Sequence, residues 1–419
     1  MRVLISEING ILPRTTKDIS ICLNSKNLIV TGMNGCGKTV FLKKLFDAIV
    51  FSIEIHKKAR KIYLNEQINN LKSRLQSDNG FYPAGTIALF KNDIERYKKE
   101  LIDLFNIDDI NVSWEEHDLV LDLNEKRSFM VCFYEATRQY TNNIENRPYV
   151  KHLNSLSEIR AHGQSQLLDR DFSENFEAYI VAFFEAGYMA SLMRNDPAEK
   201  LKVDSWLSAV KDDLRHLFED DSLSLVYNEQ ERCFYIEQAG KAPYTFAKLS
   251  SGYSSILKIY TDLLMKVELY GINKNDLTGI VIIDEIDAHL HISLQRKILS
   301  FLSRSYPNVQ FIVSTHSPFV IQSVDDAVIY DLSKLERLED LSLYSYSAIV
   351  KGLLGVDTNS EFLLGITGEL SSLLSDVALN KTRILGLIEQ LSPIETELDS
   401  KSRTILLMAK QAIEDIEGL

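Results

Sequence analysis

The sequence predicts an α/β protein with a parallel core sheet, an antiparallel β layer, an inserted helical hairpin and a helical C-terminal region. Three observations predict it. Gly32-Met33-Asn34-Gly35-Cys36-Gly37-Lys38-Thr39 fits G-x-x-x-x-G-K-[ST] and lies between an apolar run at 28–31 and a helix-like one at 40–46. Ile280-Val281-Ile282-Ile283 is a continuous β-branched run, as expected for a strand buried on both faces of a parallel sheet. Between them, over residues 52–106, the apolar spacing turns helical.

Taken first, the glycine loop lets consecutive backbone N–H groups and the positive end of the next helix point at one anion, unobstructed by Cβ atoms. Lys38 would reach the β- and γ-phosphates of a nucleotide, and Thr39 would offer its hydroxyl to a magnesium ion. Gly32, Asn34, Gly35, Cys36, Gly37, Lys38 and Thr39 are therefore candidate nucleotide-binding residues. The alternative is an ordinary glycine turn before a helix, but the strand, loop and helix context is the one this motif requires.

Length and composition set the bounds. At 419 residues, two or three domains are expected, and 45% hydrophobic with 25% charged residues describe a globular chain. The longest apolar stretch, 179–184, meets Glu185 and falls well short of a membrane span. The first eight residues alternate like a strand and do not read as a leader. A cytoplasmic protein with no membrane partner is the expectation. Cys22, Cys36, Cys132 and Cys233 are too scattered for a zinc knuckle and read as free thiols. A net charge of −13 argues against coating nucleic acid with the whole surface, while permitting a local basic patch.

In chain order, residues 1–50 read as the N-terminal part of a head, with an antiparallel pair at 2–8 and 19–23 feeding the core strand at 28–31. Residues 51–107 read as a coiled-coil-like hairpin, with one seam at Leu64, Ile68, Leu71 and Leu75 and the other at Phe90, Ile94, Tyr97, Leu101 and Leu104. Lys57, Lys58, Arg60, Lys61, Lys72 and Arg74 on its first arm favour a solvated face over a nucleic-acid or partner contact. Residues 108–145 form a β segment, with strands at 110–114, 119–121 and 129–134 read as extending the antiparallel layer. A helical subdomain spans 146–220, strongest at 172–193. The C-terminal part of the head, 221–335, holds a hairpin at 223–227 and 233–236, and 336–419 is helical with a glycine break at 352–355.

Chemistry concentrates in the second half. Asp284, ending the β-branched strand, is placed to hold magnesium, and Glu285 can reach the water that attacks a γ-phosphate. A solubilising strand edge is the alternative for that pair. His316 closes the apolar strand at 311–313 after Ser314 and Thr315, where it can donate a hydrogen bond to a γ-phosphate. It follows Glu285 by 31 residues, room for one helical crossover to a neighbouring strand. A structural histidine is the competing reading.

Leu249-Ser250-Ser251-Gly252-Tyr253 resembles the signature sequence of ABC-type ATPases. The order of glycine loop, signature, Asp-Glu strand and Ser-Thr-His is similar to that clan. Glu285-Ile286-Asp287-Ala288-His289-Leu290-His291 resembles the Glu-Pro-Glu-Ala-His-Leu-His pattern of its non-transporter branch. That branch includes SMC and RecF proteins, overcoming-lysogenization-defect ATPases and the ATPases of Septu and retron antiphage systems. Ile286 and Ile292 stand where the branch often has prolines, and Ser251 replaces the first signature glycine. Glu135-Ala136-Thr137-Arg138-Gln139 resembles a Phe/Tyr-x-Ala-x-Arg segment of these proteins. Gln139 is thus a candidate for the magnesium-positioning glutamine, against an ordinary strand-end polar cluster.

The resemblance implies ATP hydrolysis with ATP and Mg2+ as cofactors. It also implies a homodimer of heads, alone or within a higher assembly. Each site would combine Lys38, Thr39, Asp284, Glu285 and His316 of one copy with Ser250, Ser251 and Gly252 of the other, and Asp287 would lie in the loop that communicates between them. A role in antiphage defence beside a separate effector, a nuclease or a toxin, is the first expectation, and DNA repair or maintenance of the SMC/RecF type is the alternative. Nucleic acid stays open as a partner. Asn273-Lys274-Asn275-Asp276 matches the guanine-specifying N-K-x-D pattern, but it precedes the Asp-Glu strand instead of closing a buried one.

Overall fold

The computed structural model describes residues 4–13, 15–24, 26–76, 82–104, 110–126, 128–138, 155–165, 170–324, 326–338, 349–350 and 359–417. It divides into two compact units, 1–344 and 345–419. In the first, β1 (Ile5–Ile11) and β2 (Asp18–Cys22) precede β3 (Asn27–Thr31) and α1 (Lys38–Ser52). Helices α2 (Ile55–Gln76) and α3 (Ala84–Asp103) are followed by β4 (Ile110–Trp114), α4 (His117–Glu125) and β5 (Phe129–Tyr134). Then come α5 (Leu156–Ser165), α6 (Phe176–Arg194), α7 (Pro197–Phe218), β6 (Ser224–Asn228), β7 (Cys233–Glu237) and α8 (Ser251–Tyr270). The unit closes with β8 (Thr278–Ile283), α9 (Ile292–Gln295), α10 (Ile298–Ser305), β9 (Val309–Ser314), α11 (Pro318–Ile321), β10 (Ala327–Asp331) and β11 (Glu336–Leu338).

Six strands form the central sheet in the order β11-β10-β3-β9-β8-β5, parallel throughout except for β11 at one edge. Every residue of β3, β8 and β9 is buried, because layers cover both faces of the sheet. A smaller antiparallel sheet, β2-β1-β4, lies beside it. Gln310 joins the two layers: its Oε1 accepts from Ile5 N–H at 2.9 Å, and its Nε2 donates to the carbonyls of Ile5 (3.2 Å) and Lys26 (2.7 Å). Buried amides satisfied in this way hold one sheet at a fixed height on the other.

Two sequence expectations are corrected. Residues 129–134 do not extend the antiparallel layer. They pair in parallel with β8, from Phe129 opposite Thr278 to Tyr134 opposite Ile283, and five of the six are buried, as a core strand requires. Residues 119–121 are not a strand but lie in α4. There Val120 and Leu121 turn into the core and Asp118 meets Lys61 of α2 at 2.6 Å, so tertiary packing decides a short apolar run that local pattern leaves ambiguous.

The hairpin arms α2 and α3 have 22 and 20 residues, about 33 and 30 Å at 1.5 Å per residue. Leu64, Ile68 and Ile94 are buried along the seam, and Arg60 Nε reaches Glu100 across it at 2.9 Å. Lys57 pairs with Glu54 at 3.3 Å and Lys61 with Asp118, so three of the arm's basic residues are engaged within the chain.

The second unit packs α12 (Glu361–Leu373), α13 (Val377–Leu391) and α14 (Ser400–Glu417) around Leu370, Ile384, Leu387, Leu391, Leu406, Ala409 and Ile413. Residues 361–394 are long and apolar enough to cross a membrane, a stretch the sequence reading passes over. The structure breaks it at Asp376, whose φ is −145°, and Glu369 pairs with Arg383 of the next helix at 2.6 Å. The result is a hairpin of 13- and 15-residue helices. Each is about 20 to 23 Å long, short of the ~30 Å hydrocarbon core. The glycine break at 352–355 lies outside the described residues.

Candidate nucleotide-binding site

The glycine loop runs from the buried end of β3 to the start of α1. Gly37, the residue before that helix, has φ 98° and Gly35 has φ 80°, left-handed conformations that disfavour any residue with a Cβ. A Cβ on Gly32 would lie 2.6 Å from Ser333 Oγ, in the turn after β10. That hydroxyl accepts from the Met33 N–H at 2.7 Å, while Ser333 N–H donates to Asp331 Oδ1 at 2.8 Å, so the turn braces the loop. The Lys38 ammonium is buried against the loop, donating to the carbonyls of Gly32 (3.0 Å) and Met33 (3.2 Å). Burial lowers its pKa, opposed by Cys36, Glu285 and Asp284.

Parallel pairing of β8 with β9, and of β9 with β3, brings their C-terminal ends to one edge. There Thr39 Oγ1 donates to Asp284 Oδ2 at 2.7 Å, and Ser314 Oγ donates to Asp284 Oδ1 at 2.6 Å. Ser314 Oγ also accepts from the Glu285 N–H at 2.7 Å, so one hydroxyl links both acidic residues. Asp284 is buried, whereas Glu285 is partly open and takes a left-handed φ of 46°. Thr315 Oγ1 donates to Asp287 Oδ1 at 2.5 Å. His316 is half-buried, and its pKa is lowered below 6.5 first by burial and then by Lys38, with Asp287, Glu285 and Asp284 opposing. Lys38, Thr39, Asp284, Glu285 and His316 thus share one electrostatic cluster.

Ser250 is the exposed N-cap residue of α8, and its side chain makes no capping bond to that helix. Ser251 is also exposed, while Gly252 is buried against the loop after Glu285. Gln139 lies outside the described residues. The N-K-x-D match has local duties: Asn273 Nδ2 donates to Asp276 at 2.8 Å, and Lys274 pairs with Asp213 at 2.8 Å. His291 caps α9. Among the described residues no three His, Cys, Asp or Glu side chains cluster as a metal cage. The Thr39 hydroxyl and Asp284 carboxylate are hard oxygen donors in small number, which fits a magnesium ion that takes its remaining ligands from phosphate and water. Two contributors escaped the sequence reading. Local sequence marks Ser314 only as a small hydroxyl before His316, and Arg138 only as part of a short motif.

A glycine loop at the edge of a parallel sheet, faced by a strand ending in Asp-Glu, defines a nucleotide-binding ATPase head of the ABC type. The family described as "AAA domain, putative AbiEii toxin, Type IV TA system" matches residues 47–322, more than half of the chain, and the chain belongs to that family. The glycine loop precedes the matched segment. The Retron Ec83 probable ATPase of Escherichia coli is 40% identical over 95 residues, 22% of this chain and 18% of that protein. The Septu protein PtuA of Bacillus thuringiensis is 33% identical over 163 residues, 38% of each chain. The Septu protein PtuA of Bacillus mycoides (strain KBAB4) is 40% identical over 91 residues, 22% of this chain and 13% of that one. These matches span no more than 38% of the relatives' own lengths. An SMC head bound to the C-terminal winged-helix domain of ScpA aligns with 80% of this chain and 95% of that one, at 13% identity and a TM-score of 0.35, too low a score to carry an assignment.

Proposed function

We propose that this chain binds and hydrolyses ATP, pairs head to head with a second copy around it, and regulates a separate effector in antiphage defence. The hydrogen-bonded chain Thr39–Asp284–Ser314–Glu285, with Lys38 in its field, carries the reading. It ties the helix after the glycine loop to the ends of two parallel strands, so the fold itself fixes these charged groups relative to one another. Preorganised charge is the main resource of phosphoryl-transfer sites.

Lys38 exchanges its two loop carbonyls for phosphate oxygens. Thr39 and Asp284 would hold Mg2+, which when bound offsets charge on the β- and γ-phosphates. Glu285 accepts a proton from the attacking water. His316, kept neutral by its surroundings, donates a hydrogen bond to the γ-phosphate. Ser250, with Ser251 and Gly252 at the start of α8, faces the phosphate bound by the other copy, and Asp287 relays between the halves.

The Septu and retron relatives support the defence setting. The intrachain ion pairs of Lys57, Arg60 and Lys61 weigh against a broad DNA-binding face of the SMC or RecF kind. ATP turnover and particle size, measured for wild type, Lys38→Ala and Glu285→Gln, test the proposal. Lys38→Ala is expected to lose nucleotide binding, and Glu285→Gln to bind ATP and accumulate as a dimer. Wild-type turnover in Glu285→Gln would refute the assignment of that carboxylate.

A further inference from the structure

Arg138 lies between the end of β5 and the turn after β8, with 5% of its surface exposed. Nη1 donates to the carbonyl oxygens of Glu135 (3.0 Å) and Asp284 (2.8 Å), and Nη2 to those of Glu285 (3.1 Å) and Ile286 (3.1 Å). Three of these acceptors are consecutive residues of the turn that carries Glu285. Successive carbonyls meet at one point only where the backbone between them bends, and Glu285 bends through the left-handed region at φ 46°. Without a partner that conformation is disfavoured, both because Glu285 has a Cβ and because the carbonyl dipoles repel one another. On the other side of the turn, the Glu285 N–H is bound by Ser314 Oγ at 2.7 Å and the Ile286 N–H by Ser314 O at 3.0 Å. Ser314 holds the amides and Arg138 gathers the carbonyls.

We propose that Arg138 is a positioning residue for Glu285: it holds the left-handed turn that aims the Glu285 carboxylate, and it acts on turnover through that carboxylate. This rests on the role given to Glu285 above. A planar guanidinium suits the task because its two NH2 groups can each meet a pair of carbonyls, whereas a lysine brings three donors from one point. Burial pushes the Arg138 pKa down to about 10, so the group stays charged at neutral pH.

The test is a double-mutant cycle in the full chain. ATP turnover is followed with radiolabelled nucleotide under single-turnover conditions for wild type, Arg138→Met, Glu285→Gln and the double variant, and ATP affinity is measured separately. Arg138→Met is expected to slow turnover ~10- to 100-fold, the scale of a displaced reacting group, while ATP affinity changes less than about threefold. Added to Glu285→Gln, it should cost nothing more. Arg138→Lys should recover part of the rate, and it serves in the cycle if the methionine variant does not fold. Losses that multiply in the double variant, or ATP binding weakened as much as turnover, would overturn the role of Arg138 while leaving Glu285 catalytic. Full turnover in Glu285→Gln would instead remove the catalytic assignment, and the positioning role with it.

Discussion

Gly252 packs so tightly against His289 that a Cβ at position 252 would lie 2.5 Å from the His289 carbonyl oxygen. The start of α8 is therefore packed directly against the backbone of the loop after Glu285. Because the obstacle is backbone, Gly252→Ala forces a shift. It is expected to destabilise the fold by about 1–3 kcal/mol, the usual cost of overpacking. Thermal unfolding checks this, and an unchanged midpoint would contradict the packing.

Thr39 joins α1 to Asp284 through a single hydroxyl. Thr39→Ser keeps that hydroxyl and should retain most activity. Thr39→Val removes it at similar volume and should lower turnover ~100-fold or more, consistent with losing one preorganised contact in a phosphoryl-transfer site. Titrating Mg2+ against the ATPase rate checks it: the valine variant should require far more metal than the serine variant.

Ser250→Arg places a large cation at the exposed head of α8. Pairing around ATP should fail, seen as loss of the ATP-dependent dimer in light scattering, while one chain still binds ATP with affinity within about threefold of wild type. Unchanged turnover in this variant would count against a site shared between copies.

Asp262 and Lys266 form a fully buried ion pair at 2.6 Å on α8, and Asp262 also accepts from the Tyr134 hydroxyl and from the Phe172 N–H at 2.7 Å. Tyr134 is the last residue of β5, and its carbonyl accepts from the Asp284 N–H at 2.8 Å, so this network backs the site. Lys266→Met leaves Asp262 charged and short of one partner in the core. A loss of ~3–5 kcal/mol is expected in urea unfolding. The double change with Asp262→Asn, which removes the charge but keeps an acceptor for Tyr134 and Phe172, should recover part of it.

The lowered pKa of His316 sets the sign of a pH effect. The unfolded chain binds this proton more readily than the folded one, so the group's contribution to stability is present above its unfolded value of about 6.5 and is lost as the pH falls from there through the lower folded-state pKa. His117, lowered chiefly by its burial, acts in the same direction, so the comparison must be with a variant. Between about pH 5 and 7, His316→Gln should show a shallower fall in unfolding temperature than wild type. An equally steep fall would mean that His316 is not held neutral.

Much of the fold was legible because its strongest signals answer local requirements. A tight loop between a buried strand and a helix needs glycines at set positions, and a strand covered on both faces needs an unbroken apolar run, so the strand–loop–helix course of 28–46 and the core strand at 280–283 could be read directly. The hairpin seam through Leu64, Ile68 and Ile94 was equally legible, since helical periodicity repeats within a single segment. Apolar runs without a neighbouring motif to place them left their partner, and for 119–121 their very type, undecided. Residues 119–121 became helix, and 129–134 joined the parallel sheet, because the available partner and not the run itself decides such segments.

By itself the sequence determined which residues carry charge and hydroxyl groups, and in what order along the chain they arrive. Only the tertiary structure decided which of them meet. Thr39 finds Asp284 across 245 positions, Ser314 binds two neighbours of another strand, and Arg138 closes on carbonyls 146 to 148 residues away. A hydrogen bond depends on distance and direction in space, and sheet pairing between remote segments supplies both. Nothing in the residues flanking Arg138 or Ser314 encodes those partners, so their place in the site emerged only with the fold.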